Sequence, residues 1–168
     1  MLCIQSGGKK GRIDLFLLFC PYHGHCYGGH IVPHAEGRKD PFHSIFCFMP
    51  EAPQVFIYDF ACSLEEYCMN REPRFFARTR FFHDVFHGVA HKCSSSFKVR
   101  RLQDTRSINS SIAEQFNSFL KNIRRSCTNM SQSRFIFLVQ VAIAEWNARK
   151  RDRLAEQRAL VQRLAVQL

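Results

Sequence analysis

The distribution of apolar and polar residues predicts strands in the N-terminal part of the chain. Residues 13–20, IDLFLLFC, form a short apolar and aromatic run that is typical of a buried strand. PYHGH then provides a turn, and residues 26–32 predict a second strand that returns antiparallel as a hairpin. Residues 54–59, QVFIYD, predict a central strand buried on both faces, because their apolar residues do not alternate with polar ones.

Helical patterns account for most of the remaining chain. Asp40 and Pro41 predict the start of a short helix, since Asp favours the N-cap and Pro the first helical position. A second helix is predicted directly after the central strand, and a third over 112–123, where one apolar face recurs at the helical period. The last helix starts near Ser131 and runs to the C-terminus. The order of elements predicts an α/β fold with a mixed sheet.

Composition limits the class of protein. The chain has 168 residues, of which 46% are hydrophobic, so one domain with a substantial core is expected rather than a disordered chain. Lys and Arg outnumber Asp and Glu by 24 to 14, which gives a net charge of +10 and suits a polyanionic partner such as nucleic acid. The apolar run LFLLF has only five residues, too few for a membrane span.

Eight cysteines are interspersed with histidines. The first twelve residues contain no continuous apolar stretch that would serve as a signal peptide. We therefore interpret the cysteines as thiols of a reducing, intracellular compartment that are available for metal ligation, rather than as disulfides. The alternative is that several are small buried hydrophobic residues.

The segment FHDVFHGVAHKC at residues 82–93 is the strongest candidate for chemistry. One interpretation is a structural zinc site: if the segment is helical, the spacing of His83, His87 and His91 places them on one helical face. A second is that Asp84 and His87 orient an active centre without a metal, and a third is a histidine packed among phenylalanines. The predicted zinc ligands are Cys68, His87, His91 and Cys93, with Cys62 as the alternative to Cys68. Cys20, His23, His25 and Cys26 form a second cluster, which we interpret as a metal clip or as an ordinary hairpin.

Two carboxylates, Asp59 and Glu114, have settings that suit divalent cations. Asp59 ends the central strand and Glu114 lies in the first turn of the helix after a basic insert. Carboxylates from a strand and a helix can together hold Mg²⁺, and two such ions can promote phosphoryl displacement. Helix capping is the alternative for each, with Ser111 and Glu114 forming a capping box.

Several blocks of this sequence together resemble one family. YDFACSLEEYCMNREP, FHDVFHGVAHKCS and NSSIAEQFNSFLKNIR, with CYGGHIVPHAEGRKDPF upstream, resemble the catalytic region of Kyakuja-Dileera-Zisupton DDE transposases. The resemblance covers about residues 19–150. It implies an RNase H-like fold and DNA cleavage and strand transfer with Mg²⁺ or Mn²⁺. It also implies that Asp59 is the second catalytic Asp, that Glu114 is the catalytic Glu, and that Asp84 and His87 are the family's Asp-x-x-His signature.

The chain departs from the family at its start. The first catalytic Asp belongs on the first of three antiparallel strands, but only two strands are predicted before the first helix, so we expect that strand to lie upstream of Met1. Asp14 is the only early alternative, and residues 1–12 do not resemble the family. The expected organisation is a partial RNase H-like domain over 13–150, with a Cys/His-rich insert at about 80–110 and an amphipathic helical tail over 151–168.

These observations lead to two hypotheses about function. The first is a transposase-derived DNA-binding protein whose ancestral chemistry is DNA cleavage. The second is a non-catalytic, zinc-stabilised module that binds nucleic acid or protein, or a decayed remnant. A nuclear location and self-association through the C-terminal helix are also expected. The predicted phosphate contacts are Lys98, Arg100, Arg101 and Arg106, whose alternative is a solvated loop.

Overall fold

The computed structural model describes the backbone of residues 2–6, 13–32, 37–85, 87–89, 92–99, 108–124, 127 and 130–165. It has a mixed α/β architecture with two small sheets and a long C-terminal helix. The strands are β1 (Leu2–Ser6), β2 (Ile13–Phe19), β3 (Cys26–Val32), β4 (Val55–Ile57) and β5 (Arg80–Phe82). The helices are α1 (Lys39–Phe48), α2 (Ala61–Arg71), α3 (Pro73–Phe76), α4 (Ile112–Arg124) and α5 (Gln132–Ala165).

The first sheet is an antiparallel meander with β2 in its centre. Leu15 and Leu17 of β2 face a core shared with α4 and α5. Phe16 faces the other side, where its ring stacks on His30 of β3 at 5.4 Å. Both faces of β2 are therefore covered, which explains why its apolar residues run without alternation.

The predicted number of strands before the first helix is wrong. Residues Leu2–Ser6 form β1, which pairs with β2 from Leu2↔Leu17 to Ser6↔Ile13. The segment 1–12 thus contributes a strand to the sheet that the sequence did not predict. A strand of five residues is stabilised by pairing with its partner, and its own sequence carries little signal. Asp14 lies in β2, in register with Gln5, and β1 itself contains no carboxylate.

The second sheet consists of β4 and β5, which are parallel and are connected through α2 and α3. Phe56 of β4 packs in a core with α1, α2 and α3, while Val55 and Ile57 pack on the opposite side against a smaller cluster. Only Phe56 is buried and Val55 and Ile57 are partly buried, so the predicted burial on both faces is found in part. The strand is shorter than predicted and belongs to a two-stranded sheet, so its prediction as a central strand is wrong. Because the strands are parallel, their carboxyl ends meet at one edge.

Helix α1 is fastened to β3 by a chain of three polar side chains. Asp40, predicted as the N-cap, is instead the second residue of α1, and its Oδ2 accepts the Gly37 N–H at 2.8 Å. Its Oδ1 lies 3.6 Å from His30 Nε2, and His30 Nδ1 lies 2.8 Å from Ser44 Oγ. Ser44 is only 1% exposed, so this Ser-His-Asp set cannot reach a substrate. Its role is to satisfy buried polar groups where the helix meets the sheet.

Helices α4 and α5 cover the other face of the first sheet. Four residues of α5 at helical spacing, Phe135, Val139, Ala142 and Trp146, enter the core. Beyond Trp146 the helix leaves the core, and residues 151–165 continue it with mostly exposed side chains. None of the helices described is long and apolar enough to cross a bilayer.

Phe116 of α4 is the centre of this core. It is fully buried, and its ring contacts Phe19 at 5.2 Å and Trp146 at 5.3 Å between centroids. We expect Phe116→Ala to lower the free energy of unfolding by about 3–5 kcal/mol, because it removes a buried aromatic ring and leaves a cavity. Urea denaturation followed by circular dichroism measures this change.

Phe137→Ala is the matched control, since Phe137 is 66% exposed on α5. It should change the free energy of unfolding by no more than about 0.5 kcal/mol. Equal losses in the two variants would contradict the assignment of Phe116 to the core.

Candidate metal centre

Three potential metal ligands converge at the carboxyl edge of the second sheet. Cys62 is the second residue of α2, His83 directly follows β5, and Cys93 lies ten residues further along the chain. One ligand atom from each lies within 4.8 Å of the other two. Functional groups collect at the carboxyl ends of parallel strands because the connections that follow each strand meet there. We call these three residues the Cys-His-Cys group.

His83 is the best-fixed member of the Cys-His-Cys group. It is fully buried, and its backbone N–H donates to the carbonyl of Phe97 at 2.7 Å. Its Nδ1 lies 2.7 Å from the carbonyl oxygen of Asp59. A carbonyl can only accept, so Nδ1 carries the proton and Nε2 has its lone pair available. Nε2 lies 3.1 Å from Cys93 Sγ. A histidine held in this way by a backbone carbonyl is oriented for metal binding through Nε2.

The chain around His83 is not an α-helix. Arg80–Phe82 is a strand, and His83 itself makes a parallel bridge with Lys98. A short 3-10 helix follows at His87–Val89. The four-residue spacing of the histidines therefore does not place them on one helical face. The side chain of His87 and all of His91 lie outside the described residues, so their assignment as ligands stays a prediction.

The size and chemistry of the Cys-His-Cys group fit zinc. Zinc prefers thiolate and imidazole ligands in tetrahedral geometry, with bonds of about 2.3 and 2.0–2.1 Å, which place a sulfur and a nitrogen ligand about 3.5 Å apart. The distance of 3.1 Å between His83 Nε2 and Cys93 Sγ would therefore have to increase by a few tenths of an ångström. Two half-buried cysteines can accommodate this by small rotations of their side chains.

The surroundings of Cys93 determine the pKa of its thiol. Burial raises the pKa of the Cys93 thiol, and a hydrogen bond with Cys62 and the charge of that neighbour raise it further, while Lys98 opposes the shift. Two thiolates side by side are unfavourable unless a cation neutralises them. Cys93 is therefore held as the neutral thiol, and binding of a zinc ion would displace its proton.

Cys68, one of the predicted ligands, lies elsewhere. It is fully buried in the core of the second sheet with Leu64 and Phe76, and burial raises its pKa to about 12. It follows Cys62 by six residues, which places it about 9 Å further along α2. The structure therefore assigns Cys68 to the core. Two predicted ligands, Cys93 and the alternative Cys62, lie close together in the structure. The third member of the group is His83, which was not among the predicted ligands.

The predicted catalytic carboxylates lie on different elements. Asp59 is half-buried two residues beyond β4, and Glu114 is exposed in the first turn of α4. In the part of the chain that the structure describes, the Cys-His-Cys group is the only set of three or more potential ligands close enough to share an ion. Neither Asp59 nor Glu114 belongs to this set. Asp84 is buried next to His83.

The other predicted sites have a different role or fall outside the described residues. Cys20 Sγ lies 3.2 Å from His23 Nδ1, while the backbone of Cys26 is paired with the side-chain amide of Asn147, so the hairpin is fastened to α5. Lys98 is exposed, as a phosphate contact requires. The other three predicted phosphate contacts, Arg100, Arg101 and Arg106, lie outside the described residues.

Comparison of the chain with protein-family models, curated proteins and solved structures found no match. The resemblance to DDE transposases and the RNase H-like fold therefore stay predictions. The geometry of the Cys-His-Cys group is the observation from which function can be argued.

We expect the purified protein to bind one zinc ion per chain. Cys62→Ser and Cys93→Ser should each weaken binding by on the order of 100-fold or more, because loss of a ligand costs more than the 10–100-fold that loss of a supporting residue costs. Competition with a chromogenic chelator measures the affinity. Cobalt(II) substitution reports sulfur ligation through its charge-transfer absorption.

Cys47→Ser provides the control, since Cys47 is exposed and not part of the group. It should bind zinc as the unmodified protein does. Wild-type affinity in both Cys62→Ser and Cys93→Ser would contradict the site. His87→Ala and His91→Ala, in the same assay, test the two predicted ligands that the structure does not describe.

The reactivity of individual cysteines provides an independent measurement. Thiols react as thiolates and only when accessible, so Cys47 should be alkylated quickly and Cys68 slowly, with or without zinc. Zinc should protect Cys62 and Cys93 alone. Mass spectrometry of peptides after brief alkylation measures each site, and zinc protection of Cys68 instead of Cys62 would show that the ligand assignment is wrong.

Proposed function

We propose that this chain is a zinc-stabilised nucleic-acid-binding module related to DDE transposases and lacking their cleavage activity. The convergence of Cys62, His83 and Cys93 at one sheet edge is the observation that carries the proposal. The metal would have a structural role, with the three residues of the Cys-His-Cys group and His87 or His91 as the predicted fourth ligand. The basic surface of the protein would contact phosphates.

A zinc ion at this edge would stabilise the weakest part of the fold. The sheet of β4 and β5 has two strands of three residues each, and a sheet of this size is marginally stable on its own. Cys62 and Cys93 are 31 residues apart in the sequence, so a shared metal ion would close a long loop around β5. Metal binding and folding of this region would then be coupled.

The positive charge of the protein supports nucleic acid as the partner. Residues 148–165 contain six basic and two acidic residues, and most of their side chains are exposed on the half of α5 that leaves the core. Lysines and arginines on such a surface neutralise phosphates and release counterions. A nuclear location is part of the same proposal, since the basic stretch ARKRDR at 148–153 suits nuclear import.

The order of elements supports the relationship to transposases. Three antiparallel strands, a helix and a strand that leads to Asp59 follow one another in the order that the family's RNase H-like domain implies. In this alignment β1 takes the position of the first strand, but its sequence LCIQS offers no catalytic Asp. Two carboxylates hold two metal ions poorly, which argues against cleavage.

We expect the zinc-loaded protein to bind a fluorescent DNA duplex, with affinity falling on the order of 10- to 100-fold between about 50 and 200 mM salt, because phosphate contacts release counterions. Asp59→Asn should change the affinity less than about twofold, since it removes no phosphate contact. Fluorescence anisotropy at several salt concentrations measures both effects.

Incubation of labelled DNA with Mg²⁺ or Mn²⁺ tests the enzymatic alternative on the same preparations. We expect no nicking by either protein. Cleavage that disappears in Asp59→Asn and in Glu114→Gln would establish the transposase-type activity. An absence of salt-dependent DNA binding would overturn the proposed function.

A further inference from the structure

A cleft of about 360 Å³ lies where the turn between β2 and β3 meets the start of α4 and the middle of α5. Its volume is at the lower end of the range for small-molecule sites. Its polar lining consists of two cationic side chains, two amides, a tyrosine and a histidine, and none of the described lining residues is Asp or Glu. These residues are Tyr22, His23, Asn109, Lys150, Arg153 and Gln157.

Lys150 is held in place by its surroundings. Its Nζ lies 4.2 Å from the centre of the Trp146 ring, a cation–π contact, and the Trp146 indole N–H donates to the carbonyl of Gly24 at 2.7 Å. Gly24 has a φ of +74°, and a Cβ there would lie 3.1 Å from Lys150 Cε. The glycine thus permits both the turn and the close approach of the lysine stem. A cation that is ordered beforehand loses little entropy on binding a ligand.

Among the described residues, no carboxylate pairs with the cations of the cleft, since neither Lys150 nor Arg153 is within ion-pair distance of one. The ion pair nearby is that of Arg149 with Glu145, on the adjoining part of the helix. Burial lowers the pKa of Lys150, and the charge of Arg153 lowers it further. An anion between these two side chains would relieve their repulsion.

Tyr22 adds an aromatic surface beside the two cations. It is 51% exposed at the rim of the cleft, so one face of its ring can accept a planar group. An exposed aromatic ring next to Lys and Arg is the combination that binds a nucleobase and its phosphate in single-stranded nucleic acids.

We propose that this cleft binds a phosphate ester of about the size of one nucleotide, with Lys150 and Arg153 on the phosphate and Tyr22 against the base. The ester can belong to a free nucleotide or to a nucleotide unit of a single strand. The second source rests on the proposed nucleic-acid-binding function, whereas the first does not.

The test uses the full, zinc-loaded chain in calorimetric titrations with adenosine monophosphate, adenosine, inorganic phosphate and a short single-stranded oligonucleotide. We expect the monophosphate to bind and adenosine to bind at least tenfold more weakly. Arg153→Gln and Lys150→Gln should each reduce the affinity for the monophosphate fivefold or more. Tyr22→Ala should reduce it for the monophosphate and leave the affinity for inorganic phosphate unchanged.

Arg78→Gln and Arg134→Gln are the matched controls. They remove the same charge from exposed positions outside the basic half of α5 and do not line the cleft. They should change the affinity for the monophosphate less than twofold. Arg153 is itself exposed and outside the core, so its substitution leaves folding unaffected and keeps the test valid if Lys150→Gln unfolds the protein.

The outcomes separate the ligand sources and the two proposals. If Arg153→Gln loses binding of both the monophosphate and the oligonucleotide, the ligand is a nucleotide unit of a single strand. If it loses binding of the monophosphate alone, the ligand is a free nucleotide. Equal losses of monophosphate binding in Arg134→Gln would show nonspecific charge attraction and overturn the proposed cleft site. A further outcome is that the monophosphate does not bind and that Arg153→Gln binds duplex DNA as the unmodified protein does. This would overturn the proposed cleft site and leave the proposed function unaffected.

Discussion

The burial of the His83 imidazole is the constraint on which the candidate metal centre depends. A polar ring with no exposure to solvent is destabilising unless its nitrogens have partners, and here they face the carbonyl of Asp59 and the thiol of Cys93. The backbone N–H of the same residue binds Phe97. One residue therefore joins the end of β4, the end of β5 and the segment that follows. All of these partners are groups of the protein, so the protein itself orients the nitrogen ligand.

The core of the first sheet depends on contacts with α5, which lies far away in the sequence. Its Asn147 pairs with both backbone groups of Cys26, and its Trp146 binds Gly24, across about 120 residues of sequence. The start of β3 is thus fixed by a helix that follows it much later. Among the described residues, the second sheet has few such contacts and packs around a cluster of phenylalanines. A metal ion would therefore contribute more to the stability of this sheet than to that of the first.

An apolar run was enough to predict β2, a turn signal predicted β3, and helical spacing of apolar residues predicted α2 and α4. These signals did not predict β1 or β5, which depend on pairing with a neighbouring strand. For the site, composition pointed correctly to a Cys/His segment, but the choice of ligands assumed a helix where the chain forms a strand and a short 3-10 helix. The position of His83 directly after two buried phenylalanines was the available signal. Cys68 could not be distinguished from a ligand without knowing which face of α2 is buried.

The length of α5 has a consequence for how its basic half behaves. The 34-residue helix is about 50 Å long, but only its first half packs against the protein. Lys150 and Arg153 lie three residues apart, where like charges repel and weaken the helix. An anion held beside them would remove that repulsion. A ligand bound in the cleft would therefore also stabilise the helical conformation of the residues beyond it. Binding at the turn between β2 and β3 would in this way stiffen the second half of α5.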